Sequence, residues 1–224
     1  MTKKDILSFF KTLSSLNPHP ESELHYTNAY TLLIAVILSA QATDAGVNKA
    51  TEALFKVIKT PEDMIHLGEK GLLPYIKTIG LYKTKAKNII RASHLLIEHF
   101  NSKVPSIKKD LESLPGVGPK TANVVLNVAF HQATFPVDTH VFRVCNRTGL
   151  APGKDPKTVE HKLEKVVPDP YRKKAHHWII LHGRYICKAR NPLCNLCPVS
   201  SWCAYFKKLK PRLPSVSPLS HNKH

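Results

Sequence analysis

Leu114-Pro115-Gly116-Val117-Gly118-Pro119-Lys120-Thr121-Ala122-Asn123-Val124-Val125-Leu126-Asn127 joins one helical pattern to the next. Two glycines two apart allow a tight hairpin, and Pro119 suits the first position of the helix that follows. The backbone N–H groups of such a loop point outward at a helix N-terminus, which makes an anion site. A loop of this kind contacts phosphate and carries no base specificity. The plain alternative is a helix–helix turn with no partner. Lys120 falls in the first turn of the second helix, where the positive end of the helix dipole disfavours another positive charge. That same field makes the amine easier to deprotonate, which a nucleophilic lysine requires. The competing reading is a solvated lysine that touches phosphate.

Outward from the hairpin the pattern stays helical. Ile6, Phe10 and Leu13 repeat at helical spacing up to Asn17-Pro18. Asn28 is suited to cap an apolar helix through Leu38 that is buried on all sides. Asp44 opens another, with Val47, Ala50, Leu54 and Val57 expected on one face, and Thr60-Pro61-Glu62-Asp63 is a start signal. Further helices are predicted at 69–77, 83–100, 107–113 and 119–131, from Asp138, from Asp155-Pro156, and over 171–186. Alternating strand patterns and hairpin turns of the Asn-Gly type are missing. The fold class expected is all-α, with about ten helices. The stretch Gln132–Val137 separates two groups of helices, and Pro211–His224 reads as a disordered tail.

The 224 residues are 42% hydrophobic and 22% charged, an ordinary globular balance. The charge is not ordinary: 33 Lys+Arg against 16 Asp+Glu give a formal net charge of +17. A field of that size favours polyanions, nucleic acid before an anionic membrane. The longest apolar run, Tyr30–Leu38, falls short of the ~20 residues a bilayer span needs, and the N-terminus lacks a signal-peptide core. Neither a membrane nor export is expected.

Four of the five cysteines form Cys187-x6-Cys194-x2-Cys197-x5-Cys203. Clustered thiols at one end of a chain are a metal site rather than a disulfide framework. A structural zinc is the generic alternative, but zinc ribbons usually pair two C-x2-C knuckles and only one occurs here, so the spacing better fits a [4Fe–4S] cluster. Cys145 is set apart, on an apolar face, as a core residue. His176, His177 and His182 are read as packed or hydrogen-bonded, since the cysteines already complete a four-ligand set. Asp138, in Pro136-Val137-Asp138-Thr139-His140-Val141-Phe142-Arg143, suits an N-cap well. A carboxylate there is also able to stabilise a developing cation or shuttle protons beside Lys120, though sequence distance alone does not place the two together. Gly80-Leu81-Tyr82-Lys83-Thr84-Lys85 places an apolar residue beside lysines after a turn.

The hairpin, the VDTHVFRVCNRT segment, the LLIAVILSAQATD segment and the cysteine tail occur together and in order. In combination they resemble the endonuclease III family, helix-hairpin-helix DNA glycosylases with an iron–sulfur cluster, over residues 1–210. The resemblance implies a two-domain fold. Residues 22–132 would form a six-helix domain with the hairpin; residues 1–21 and 133–211 would form a discontinuous domain with the cluster, leaving 212–224 as tail. It implies excision of oxidised or ring-saturated pyrimidines and β-elimination at the abasic site, with Lys120 as nucleophile, Asp138 as its partner and the base flipped between the domains. Gln41 matches the residue that fills the hole left by the base, and Leu81 the wedge on the opposite strand. Gly116, Val117 and Gly118 would hold phosphate, with a monovalent cation at the hairpin carbonyls. His140, Arg143, Lys188 and Arg190 complete the expected DNA contacts. The partner is double-stranded DNA with damaged pyrimidines or abasic sites; the protein is expected to be a cytoplasmic, nucleoid-associated monomer of bacterial type. Asn191 and Pro119 depart from family positions that often hold a base, which is expected to weaken phosphate contacts. The alternatives are an adenine-excising glycosylase of the same superfamily, against which Lys120 argues, and a non-catalytic DNA-binding protein.

Overall fold

The computed structural model describes residues 1–209, and the expectation for the tail lies outside them. Among the described residues there are helices and no strands. They are α1 (Lys3–Leu16), α2 (Ala29–Ser39), α3 (Asp44–Val57), α4 (Pro61–Ile76), α5 (Tyr82–Phe100), α6 (Lys108–Glu112), α7 (Pro119–Phe130), α8 (Thr139–Thr148), α9 (Pro156–Val166), α10 (Arg172–Tyr185) and α11 (Ala204–Leu209). None is long and apolar enough to cross a membrane.

The caps explain the boundaries. Thr2, Asn28 and Thr60 each form a reciprocal capping box, in which the cap side chain accepts from the third helical residue and that residue's side chain answers the cap N–H. Asp138 and Asp155 cap α8 and α9. The helix that opens at Thr60 is interrupted at Gly68, where φ is +69°, so its two halves correspond to the two segments read from the sequence. One expected face is corrected. Val57 is exposed, while Val47, Ala50, Thr51, Leu54 and Phe55 are buried and Ile58 continues the stripe. At about 100° per residue Ile58 returns to the face of Val47 and Leu54, whereas Val57 points away from it.

The buried apolar residues gather into two separate clusters. One runs from Leu24 to Leu126 and is built by α2–α7 around α2, in which every residue from Tyr30 to Leu38 is buried. The other joins α1 to residues from Phe135 onward, with Phe9 against His182 and Phe10 against Trp178 of α10, and Phe10 stacked on Tyr171. Fully burying one such side chain is worth about 1.5–3 kcal/mol. Cys145 belongs to this second core, and burial pushes its thiol far up, as an inert core residue requires.

Candidate active site

The hairpin between α6 and α7 is held from inside. Leu114 and Val117 are buried, and the Val117 N–H donates to the Leu114 carbonyl at 3.1 Å. Gly116 stands at φ +83°, and a Cβ there would meet Asn88 Cβ at 3.2 Å and Ile37 Cγ2 at 3.4 Å, so both the dihedral and the space call for glycine. Gly118 differs: its φ is −93°, and a Cβ would meet nothing within 4 Å. The protein itself does not require glycine there. With its side chain in the core, Val117 offers a partner only its backbone. No side chain caps α7, whose first turn carries Lys120.

Lys120 and Asp138 meet because the chain goes out and comes back. From Lys120 to Phe130 α7 rises about 15 Å. Residues 132–138 are not helical and return alongside it. The side chain of Asn127 and the backbone carbonyl of Asn123, both in α7, hold the returning segment. Asn127 Nδ2 donates to the carbonyls of Gln132 (2.9 Å), Lys173 (3.2 Å) and Thr134 (3.3 Å), and the Asn123 carbonyl accepts from Thr134 Oγ1 at 2.6 Å. Asp138 thereby ends beside the start of α7, and both residues line one pocket between the two cores. Asp138 Oδ1 accepts from the Val141 N–H at 2.8 Å. Lys120 is exposed and makes no hydrogen bond or ion pair among the described residues.

Other walls of the pocket come from α2, α3 and α10. Arg184 Nη1 lies 2.7 Å from Asp44 Oδ2 and also pairs with Glu23, which accepts from the Tyr185 hydroxyl. Burial pushes the Glu23 carboxyl up, but the bonds from Tyr185 and Arg184 outweigh it and hold it low. His176 and His177 line the pocket, and burial depresses both. His177 is pushed down to about 4, with the Arg184 charge adding to the effect. The pocket therefore presents neutral imidazoles at physiological pH.

Gln41 and Leu81 are both exposed, and both occupy left-handed backbone, at φ 58° and 57°. They project from the ends of loops that enter α3 and α5. His140 and Arg143 are half-buried, and Arg143 is committed inward: it donates to the Cys187 carbonyl at 2.9 Å, to the Gly183 carbonyl at 2.7 Å, and lies 3.1 Å from His140 Nδ1. In this structure it holds the start of the cysteine loop. Lys188 and Arg190 are exposed. Asn191 has φ 48°, a conformation asparagine tolerates better than most residues.

The four cysteines surround one cavity, closed by His182, Ile186, Leu193 and Phe206. No three His, Cys, Asp or Glu side chains among the described residues converge to hold one bare ion. Spread around a cavity, the thiols suit a cube in which each binds a different iron. The Arg147 guanidinium approaches Cys187 Sγ at 3.7 Å, the Phe206 N–H donates to Cys203 Sγ at 3.5 Å, and His182 Nε2 lies 3.6 Å from Cys197 Sγ. Burial and the neighbouring sulfurs push the Cys194 and Cys197 thiols up, Cys197 to about 11. A cationic group among the four is what lets them all ionise. Arg147 also donates to the carbonyls of Lys188 (2.6 Å) and Ala189 (2.9 Å), a clamp on the loop that the sequence reading missed.

The family model for helix-hairpin-helix base excision DNA repair proteins of the HhH-GPD superfamily matches residues 34–169, and that for the iron–sulfur binding domain of endonuclease III matches residues 187–203. Endonuclease III of Haemophilus influenzae is 55% identical over 210 residues, covering 94% of this chain and all of that protein. The chain belongs to the endonuclease III family. Endonuclease III of Escherichia coli is 54% identical over 93% of this chain and 99% of its own length. Among solved structures, a trapped endonuclease III–DNA covalent intermediate is similar with a TM-score of 0.86, 43% identity and coverage of 94% of this chain and 99% of that one. A thermostable thymine-DNA glycosylase is similar at a TM-score of 0.81 and 26% identity, over 92% of this chain and 98% of that one.

As an endonuclease III family member the chain carries a [4Fe–4S] cluster, which Cys187, Cys194, Cys197 and Cys203 fit. Purified protein is expected to be brown, with about four iron and four sulfide per chain. Stoichiometric zinc without iron, from cells competent in cluster assembly, would contradict that expectation.

Proposed function

We propose that the pocket between the two cores receives an oxidised or ring-saturated pyrimidine flipped from duplex DNA, with Lys120 as the nucleophile. The protein is a bifunctional DNA glycosylase and AP lyase of base-excision repair. The observation that carries the assignment of roles is the meeting of an unpaired lysine and a half-buried carboxylate in one pocket. Lys120 Nζ attacks C1′ as the bond to the base breaks, and Asp138 stabilises the cationic character that develops at the sugar. The sugar ring opens, the nitrogen loses its proton and a Schiff base forms. Removal of the C2′ proton then breaks the C3′–O bond and expels the 3′-phosphate, which nicks the strand. A [4Fe–4S] cluster held by Cys187, Cys194, Cys197 and Cys203 would close the loop that bears Lys188 and Arg190.

The two cores support a division into a six-helix domain, 22–132, and a discontinuous domain, 1–21 with 133–211. Gly116 and Gly118 offer backbone N–H groups to a phosphate, while Val117, whose N–H is held by the Leu114 carbonyl, presents its backbone between them. Gln41 and Leu81 fill and wedge the duplex; His140, Arg143, Lys188 and Arg190 serve the strand, Arg143 by holding the cysteine loop. We place the protein in the cytoplasm on the nucleoid, acting as a monomer.

Borohydride trapping tests the reaction. A covalent complex is expected with DNA containing thymine glycol or an abasic site, and its absence would remove the Schiff base from the mechanism. The charge is tested by salt. If about six phosphates are neutralised, affinity for duplex DNA is expected to fall by ~10³ between roughly 50 and 200 mM salt. A flat salt dependence would deny the +17 charge that role.

A further inference from the structure

Lys85 is buried, at 6% exposure, and no carboxylate pairs with it among the described residues. Its Nζ donates instead to the carbonyls of Leu38, at 2.8 Å, and Ala40, at 2.5 Å. Both carbonyls belong to the end of α2, where unsatisfied backbone oxygens and the negative end of the helix dipole favour a cation. Burying an ammonium is costly unless it is bonded in this way.

The second carbonyl has a particular place. The Ala42 N–H donates to the Ser39 carbonyl at 3.0 Å, Ala40 has φ −57° and ψ 115°, and Gln41 has φ 58°. Those values define a type II turn with Gln41 at the position that usually demands glycine or asparagine. The same four residues in a type I turn would carry the Ala40–Gln41 peptide flipped, its carbonyl on the opposite side and Gln41 at an unstrained negative φ. Lys85 therefore bonds the one carbonyl whose direction separates the two turns. It also sits one helical turn after Leu81, whose carbonyl accepts from the Lys85 N–H at 3.0 Å.

We propose that Lys85 is a positioning residue: by holding the Ala40 carbonyl it selects the type II turn and so directs Gln41 toward the DNA. Without it the peptide flips, Gln41 relaxes and its side chain leaves the place of the flipped base. The proposal rests on the reading of Gln41 as the residue that fills that place. Lys85 touches neither substrate nor cofactor, so its effect passes through Gln41.

A double-mutant cycle on duplex DNA containing thymine glycol, read as single-turnover base excision, tests it. Lys85→Met is expected to slow excision about tenfold or more in the native background. In the Gln41→Ala background the same change is expected to cost less than about twofold, because nothing remains to be positioned. A structural role alone would multiply the two losses. Should Lys85→Met not accumulate as folded protein, Lys85→Gln, which keeps one amide donor, carries the same cycle. If Gln41→Ala slows excision and the Lys85 change multiplies that loss undiminished, the proposal fails alone. If Gln41→Ala leaves excision unchanged, the reading of Gln41 fails and takes the proposal with it. Unchanged excision in the Lys85 variant of the native background also overturns it.

Discussion

Lys120→Ala is expected to yield no borohydride-trapped complex and to lose about 10³-fold or more in base excision, equivalent to ~4 kcal/mol of barrier. The size of the effect follows from chemistry. A covalent mechanism splits one difficult displacement into easier steps, and without the amine neither the Schiff base nor β-elimination has a route. The same substitution is expected to leave the fold intact and slightly more stable. Lys120 is exposed in the first turn of α7 and unpaired among the described residues, and the helix dipole opposes its charge. Alanine removes that opposition and is the better helix former, a gain of about 0.3–1 kcal/mol. Activity lost with stability retained separates a nucleophile from a lysine that merely touches phosphate. Thermal unfolding beside the trapping assay measures both, and a trapped complex that persists through another residue would withdraw the assignment.

That opposition between stability and chemistry also explains which parts of the molecule could be read from sequence. Helix starts were legible because capping is local: Asn28, Thr60-Pro61, Asp138 and Asp155-Pro156 announce themselves within about four residues, and each caps a helix in the structure. The break at Gly68 falls where the sequence pattern passes from one segment to the next. The meeting of Lys120 with Asp138 was legible only through the family resemblance and not from local pattern. It depends on a helix running out and an extended segment returning, held by the Asn127 side chain and the Asn123 carbonyl. Asn127 did leave a signal, as a polar residue at a buried position of an apolar helix, and Asn123 left one for a different contact, its Nδ2 donating to Glu160 Oε1 at 2.7 Å. Lys85 left the same kind of signal: it falls in the stripe of Ala86, Ile89, Ala92 and Leu96 along α5. A polar residue inside an apolar stripe has its partner on another element, and sequence periodicity does not say which.

Asp138→Asn is expected to separate the two roles that the sequence allowed this residue. As an N-cap, Asp138 accepts the Val141 N–H at 2.8 Å, and an asparagine oxygen can accept the same bond. Asparagine and aspartate rank together as caps, so stability is expected to stay within about 0.5 kcal/mol. The charge, however, is gone. If the carboxylate stabilises the cation that develops at the sugar, excision is expected to slow by roughly 10²–10³, the range for removing one preorganised electrostatic group. Asp138→Ala then supplies the complementary result, because it removes the cap as well and is expected to cost a further ~1 kcal/mol of stability. A residue that only caps would give the reverse pattern: the asparagine variant near native in both rate and stability, and the alanine variant unstable but catalytically intact below its melting point. Single-turnover excision and denaturant unfolding on the two variants distinguish the patterns, because the amide preserves the helix start and abolishes the charge in one atom's change.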